Sequence, residues 1–287
     1  MKRASRISPQ IEKCCLLLIG NESFVNAQRT CPHIRDLEIL TGITVPHSTQ
    51  HRLVNSYQLP IPKVVKRAKS LSVDGGTVRL RTPLGKQSEW KNYKAVKVHG
   101  RTGMAFFQNN ESLINWVNQQ SLTSIVSCLG DGHDGVWNIL EKIGSRHQRR
   151  EILDWYHLME NLHKVGGSNQ RLRQAKSFLW HGLIDEAIAL FDELKKKRCD
   201  PAGVSPAWER APRQQARNFQ NYLRKHRFRI PDYQLYQELG ICIGEGSSGD
   251  VSSPACEPRS GSVESWIKQI GSRVKIVGAQ WNPKNVP

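Results

Sequence analysis

The order of apolar and polar residues divides the chain into helical and strand-rich regions. Residues 8–58 have the pattern of short helices, and Ser8 followed by Pro9 is typical of a helix start. Between residues 70 and 99, apolar and basic residues alternate with the period of two that is typical of strands. Residues 166–239 have a helical pattern again, broken at prolines.

The strand-rich region predicts an antiparallel meander followed by alternating helices and strands. A turn is expected at Gly75-Gly76, between short strands over 70–73 and 78–81, and a further strand covers 93–99. The later elements are helix 112–119, buried strand 124–129, helix 136–143, short strand 152–153 and a helix continuing to Lys164. Strands alternating with helices favour the α/β class.

The N-terminal region has the outline of a helix-turn-helix. An apolar helix end meets Gly42, and a polar helix begins near Pro46. The second helix of such a motif presents polar residues to the major groove of DNA. The candidate DNA-facing residues are Ser48, Gln50, His51 and Arg52. The alternative is an αα-hairpin with no DNA role, and the charge of the chain favours DNA binding.

The charge balance indicates a polyanionic partner. The 287 residues include 42 Lys and Arg and 25 Asp and Glu, which gives a net charge of +17 and a sequence pI of about 9.8. This excess is too basic for an ordinary metabolic enzyme with small neutral substrates and points to nucleic acid. No Gly-rich nucleotide-binding loop is evident in the sequence.

Cysteine usage and hydropathy favour a cytoplasmic protein with no membrane partner. Seven cysteines, without a Cys-x-x-Cys pair, argue against a disulfide framework and a zinc ribbon. The longest apolar run, at residues 14–19, is far shorter than the roughly 20 residues of a membrane span. We interpret this run as part of a buried helix.

A stripe of arginines predicts a surface for the phosphate backbone. Four of them fall close to one helical face, and a same-sign stripe without acidic partners repels itself on a merely solvated face. A final helix from Ser262 adds further basic residues. The candidate contacts are Arg210, Arg213, Arg217, Arg224, Lys268, Arg273 and Lys275.

Three acidic residues have positions that suit catalysis. Asp74 and Asp131 each follow an apolar strand and lie beside glycine, and Glu264 lies in the first turn of the last predicted helix. Clustered carboxylates repel each other, and Mg²⁺ or Mn²⁺ relieves that repulsion. Two such ions can activate a water or a 3′-hydroxyl in phosphodiester chemistry. The alternatives are Asp134 for Asp131, and Glu245 or Glu257 for Glu264.

Four pieces of the sequence resemble bacterial insertion-sequence transposases of the DDE class. The most similar group is the Kra-type group, which is related to Mutator-like enzymes, and the resemblance extends from Ser8 to Trp281. The Asp-x-x-His element between the second and third acids is its most specific part. The pieces are Leu71–Gly75, Leu129–Gly132 with Trp137, Asp154–Leu158, and Gly261–Ser265 with Gly278–Trp281.

The resemblance implies a ribonuclease-H-like core interrupted by an all-helical insertion and preceded by a small helical segment. The expected boundaries are 1–62 for the helix-turn-helix segment, 63–165 for the first part of the core, 166–243 for the basic helical insertion, 244–260 for a Gly/Ser-rich loop and 261–287 for the last core helix. The implied activity is cleavage and strand transfer at insertion-sequence ends.

The resemblance also assigns roles to residues and partners. It makes Asp74, Asp131 and Glu264 the ligands of two Mg²⁺ or Mn²⁺ ions, and Asp154 and His157 an auxiliary element, with His157 near the scissile phosphate. A capping or core histidine is the alternative for His157. The implied partners are double-stranded DNA with terminal inverted repeats and a second copy of the chain. A bacterial cytoplasmic protein, associated with the nucleoid when bound to DNA, is expected.

The sequence departs from the family pattern at one place. Residues 245–259 lie where the family would run almost directly from Ile243-Gly244 into the segment of Glu264. This segment could bulge into solvent, or it could misplace Glu264. Two alternatives therefore stand beside the transposase: a partly decayed copy that only binds DNA, and a nuclease that cuts without strand transfer.

Overall fold

A computed structural model of the protein describes residues 7–21, 38–56, 61–64, 66–98, 102–196 and 207–244. The described residues form two compact units. One lies within Met1–Pro62 and Thr77–Asn92, and the other lies within Lys63–Gly76 and Tyr93–Ile267. No helix in these described ranges is long and apolar enough to cross a membrane.

Two helices of the N-terminal region pack on each other. Helix α1 (Pro9–Asn21) begins as predicted, with the Ser8 hydroxyl accepting a hydrogen bond from the Ile11 backbone amide at 3.4 Å. Residues 38–41 are helical and end at Gly42, whose φ of +68° suits glycine. Helix α2 (His47–Ser56) follows. Cys15 of α1 is buried in a small apolar cluster, which confirms the predicted buried helix.

The second unit has the α/β class that the sequence predicts. Five strands form one mixed sheet in the order β3-β2-β1-β4-β5. Strands β2 and β3 are antiparallel, whereas β4 is parallel to both β1 and β5. The strands are β1 (Ala68–Leu80), β2 (Glu89–Val98), β3 (Thr102–Phe107), β4 (Leu122–Gly130) and β5 (Arg149–Leu153).

The predicted turn at Gly75-Gly76 is wrong, because β1 continues through both glycines. These glycines make room for neighbouring side chains of β2. A Cβ on Gly75 would lie 2.6 Å from Lys94 Nζ, and a Cβ on Gly76 would lie 2.5 Å from Tyr93 Oη. Strand β3, which the sequence pattern did not predict, pairs with β2.

Helices follow the strands and continue alone after residue 166, as predicted. A 3₁₀ turn at Arg227–Arg229 connects the last two helices. The apolar core packs strand residues such as Leu71, Val126 and Ile152 against these helices. The helices are α3 (Asn110–Asn118), α4 (Asp134–Leu140), α5 (Trp155–Val165), α6 (Asn169–Trp180), α7 (Ile184–Lys196), α8 (Ala207–Lys225) and α9 (Tyr233–Glu238).

Candidate active site

Three aspartates lie at one level across three neighbouring parallel strands. The Cα of Val73 in β1 pairs with that of Gly130 in β4, and Gly130 pairs with Leu153 in β5. The next residues along the three strands are Asp74, Asp131 and Asp154. Because paired strands lie about 4.8 Å apart, the register brings the three residues together.

The aspartates line one narrow cleft with His157. The cleft has a volume of about 10 Å³, which is roughly the space of one water or one ion. Its size suits a bound ion rather than a small organic substrate. The full lining is Ser72, Val73, Asp74, Leu129, Gly130, Asp131, Asp154 and His157.

Asp74 is a half-buried carboxyl whose pKa is raised. Burial is the main cause, and the negative charge of Asp131 raises the pKa further. The Gly75 amide and the positive charges of His157 and Lys94 act in the opposite direction. This mutual effect of Asp74 and Asp131 is that of two carboxyls whose ionised forms repel each other across a shared cleft.

Asp131 is held by a tight turn after β4. Its Oδ1 accepts a hydrogen bond from the His133 amide at 2.8 Å, and Gly132 between them has a φ of +94°. Asp134, the alternative to Asp131, is exposed and pairs with Lys225 Nζ at 2.5 Å. Asp134 does not line the cleft, so the geometry favours Asp131.

Asp154 is buried and caps α5. Its Oδ1 accepts hydrogen bonds from the Tyr156 amide at 2.8 Å and the His157 amide at 3.1 Å. The same oxygen lies 3.3 Å from His157 Nδ1. Asp154 therefore both starts the helix and orients the histidine.

The contact with Asp154 raises the pKa of His157 to about 9, even though burial lowers it. The charge of Asp131 adds to the increase. His157 is therefore an imidazolium at neutral pH, on the wall of the cleft. The capping role belongs to Asp154, so the capping alternative for His157 does not hold.

Two tyrosines from the helical region hold the ends of the strands, and the sequence analysis missed both. Tyr222 of α8 donates its hydroxyl to the Asp131 carbonyl at 3.2 Å. Tyr233 of α9 is buried and donates its hydroxyl to the Leu153 carbonyl at 2.7 Å. The sequence signal was weak: Tyr222 is an aromatic residue inside the arginine stripe.

Residues 241–244 bring the chain back to the cleft. The Ile243 carbonyl accepts a hydrogen bond from the Trp155 amide at 3.0 Å. A Cβ on Gly244 would lie 3.2 Å from Asp154 Oδ2. The segment that leads to Glu264 thus starts beside Asp154, while Glu264 itself lies outside the described residues, as do the alternatives Glu245 and Glu257.

The predicted DNA contacts are described in part. Ser48 and Arg52 are exposed on α2, and Arg217 and Arg224 are exposed on α8. All four predicted arginines of the stripe fall within α8. The side chains of Gln50, His51, Arg210 and Arg213, and the whole of Lys268, Arg273 and Lys275, lie outside the described residues.

The donor atoms in the cleft suit a divalent cation in their chemistry, although only two predicted ligands are described. Asp74 and Asp131 offer carboxylate oxygens, which Mg²⁺ and Mn²⁺ prefer. Within the described part of the chain, no group of three or more His, Cys, Asp or Glu side chains is placed to hold a metal ion. Asp154 is engaged as a helix cap and does not complete such a group.

Comparison with models of known protein families gives no match, and no curated protein matches the sequence.

Proposed function

We propose that this protein is a DDE-class transposase that cleaves DNA and joins strands at insertion-sequence ends. The observation that carries the proposal is the register of β1 and β4, which sets Asp74 beside Asp131 in one ion-sized cleft. The strand order 3-2-1-4-5 supports it, because a ribonuclease-H-like core has this order. Residues 166–243 are then the helical insertion between the second and third acids.

Asp74 and Asp131 would hold Mg²⁺ or Mn²⁺ together with Glu264. The raised pKa of Asp74 favours this role, because a cation between the two carboxylates would relieve the repulsion that raises it. When bound, two such ions supply the activation of a water or a 3′-hydroxyl and stabilise the leaving oxygen.

His157 would bind the scissile phosphate. Asp154 holds its Nδ1, so the other ring nitrogen points its proton to a different acceptor. A pKa of about 9 keeps the ring charged at neutral pH, and a charged N–H makes a strong hydrogen bond to a phosphate oxygen. His157 thereby adds positive charge next to the carboxylates without competing as a metal ligand.

The test is nicking and joining of supercoiled DNA that carries the flanking element ends, with Mg²⁺ or Mn²⁺. We expect Asp74→Asn and Asp131→Asn to reduce the rate by about a hundredfold or more, because a cation contributes several kcal/mol to such a reaction. Asp134→Asn is the matched control. It removes a carboxylate three residues from Asp131 that is exposed and outside the cleft, so its rate should stay near that of the wild type.

The products and one further variant separate the alternatives. Nicked DNA without joined product would indicate a nuclease. Loss of activity in Glu264→Gln would support the third ligand and show that residues 245–259 are tolerated. Equal rates in the wild type and in Asp74→Asn would contradict the proposed site.

A DNA-binding protein without catalysis is the second candidate, favoured by the segment 245–259 that precedes Glu264. It predicts DNA binding without Mg²⁺ that survives Asp74→Ala. Wild-type protein that binds DNA and yields no nicked product under any metal condition would support it.

A further inference from the structure

Phe228 is an aromatic residue that stands almost completely in solvent. Its exposed fraction is 98%, while its neighbours His226 and Ile230 are 0% and 6% exposed. Single exposed apolar residues are common on protein surfaces, so exposure alone indicates nothing. The distinguishing feature of Phe228 is that the backbone on both sides of it is fixed.

The two flanking arginines hold the turn to different elements. Arg227 makes a bidentate pair with Asp185 of α7, with Nη1 at 2.6 Å from Oδ1. Arg229 Nε lies 2.7 Å from Glu151 Oε2 of β5, and the Arg229 guanidinium covers the Trp137 ring at 4.2 Å. The turn is therefore anchored on both sides, and a partner that binds the ring has little backbone motion to suppress.

The surroundings of the turn favour a nucleic acid as partner. The preceding helix α8 exposes Arg217 and Arg224, which can contact phosphates, and the chain carries a net charge of +17. The charges of Arg227 and Arg229 are matched by acids, so these two residues act as anchors. Tyr222, six residues before Phe228, touches the Asp131 carbonyl, so the turn belongs to the neighbourhood of the cleft.

We propose that Phe228 stacks on an unpaired base of DNA bound beside the cleft. The inference rests on the proposed function only in taking DNA as the partner of this surface. A phenyl ring has no hydrogen-bonding group, so it would stack on any base, and it would need a base that has left the double helix. An anchored ring at a cut site would thus favour DNA with locally opened strands.

The experiment measures binding of the full chain to two DNAs of one sequence, without divalent ions. One is fully paired, and the other carries a single unpaired 2-aminopurine. We expect Phe228→Ala to weaken binding to the second DNA by about 5- to 150-fold, the range for one base stacked on an aromatic residue. Binding to the paired DNA should change by less than about twofold, because phosphate contacts remain.

Two variants and the fluorescence of the probe sharpen the result. Phe228→Trp keeps an aromatic surface and should retain both the affinity and the quenching of 2-aminopurine, which Phe228→Ala should lose. Leu239→Ala removes a 64% exposed apolar side chain just after α9 and should leave both affinities unchanged.

Three outcomes would overturn the inference: equal weakening on both DNAs, no weakening on either, or a wild type that binds neither. If Phe228→Ala instead abolishes self-association in sedimentation and leaves DNA affinity unchanged, the turn is an interface between copies of the chain. Since no metal and no cleavage are needed, a protein that fails the nicking test can still pass this one.

Discussion

Tyr222 shows how a residue distant in sequence can fix a candidate catalytic loop. It lies 91 residues from Asp131, donates its hydroxyl to the Asp131 carbonyl, and occupies the space that Gly132 leaves by lacking a side chain. Burial raises the pKa of Tyr222, and the charges of Asp131 and Asp154 raise it further, so the hydroxyl keeps its proton as a donor. Its ring also makes an edge contact with His226 at 4.7 Å between centroids.

Replacing Tyr222 by Phe should slow DNA cleavage by at most about tenfold with DNA affinity unchanged. The reason is that the Asp131 turn loses one hydrogen bond, whose net contribution is about 0.5–1.5 kcal/mol. Single-turnover cleavage and metal-free binding measure the two effects separately. Tyr236→Phe is the control, because its ring contacts the Arg150 guanidinium and its hydroxyl bonds to no described residue. A Tyr222→Phe variant with weaker DNA binding and an unchanged rate would contradict this role.

His226 should make the protein less stable in mild acid. It is fully buried, and neither ring nitrogen makes a hydrogen bond of normal geometry in the described part of the chain. Burial lowers its pKa to about 4, and the positive charges of Arg229 and Lys225 add to this effect. Between about pH 6.5 and pH 4 the unfolded chain therefore binds a proton that the folded chain does not.

The free energy of unfolding should fall across this pH window by at most about 3 kcal/mol from this group, and the group should contribute no change above pH 7. Urea unfolding at a series of pH values measures the slope. His226→Leu should flatten the slope, because a ring whose nitrogens have no partners can be replaced by an apolar group at small cost. An equally steep slope in His226→Leu would assign the acid sensitivity to other groups.

At the scale of elements, the helical region is a structural part of the candidate site. Tyr222 and Tyr233 each donate a hydrogen bond to a strand-end carbonyl, at Asp131 and Leu153. Tyr233 also lies within a ring cluster, 4.8 Å from Trp155 between centroids. The helices that follow residue 166 thus fix the ends of β4 and β5, where two of the three aspartates lie.

Tyr233→Phe should lower the free energy of unfolding by about 1–3 kcal/mol, because the buried Leu153 carbonyl would lose its partner. Chemical denaturation measures the loss. Tyr236→Phe again serves as the control and should change the stability by less than about 0.5 kcal/mol, as is usual for substitutions away from buried networks. If both variants were equally stable, α9 would not secure the end of β5.

The sequence predicted the elements that have a regular pattern and missed those set by contacts between elements. Alternation identified β2, and the helix start at Ser8 was identified from its capping residues. Gly75-Gly76 was mistaken for a turn because the side chains of β2 that require glycine there lie far away in sequence. Strand β3 was missed because its apolar residues 104–107 do not alternate with polar ones.

The candidate site was predicted to a similar degree. Asp74 and Asp131 were recognised because an acid that follows an apolar run and lies beside glycine is a local signal. The alignment of Asp154 with them depends on strand register, and Tyr222 depends on a contact across the unit. Neither leaves a pattern that a single sequence can show.

At the scale of the whole molecule, the excess positive charge is the property most directly linked to a partner. The charge is unevenly matched among the described arginines of the helical region. Arg227 and Arg229 are paired with acids, whereas Arg217 and Arg224 are exposed on α8, with Arg224 making only a 3.3 Å contact to the Asn221 side chain. The unmatched pair is the part of this surface available for phosphates.

The salt dependence of DNA binding should therefore separate these arginines. Each phosphate contact contributes about 0.9 to the slope of log K against log salt concentration, so Arg217→Ala with Arg224→Ala should reduce the slope by about 1.8. Fluorescence anisotropy with duplex DNA at several salt concentrations measures it. Arg173→Ala on α6 is the matched control, since it removes an exposed arginine from a different helix and should leave the slope unchanged. A slope that falls equally in the control would mean that binding follows net charge alone, and an unchanged slope in the double variant would remove α8 from the DNA-binding surface.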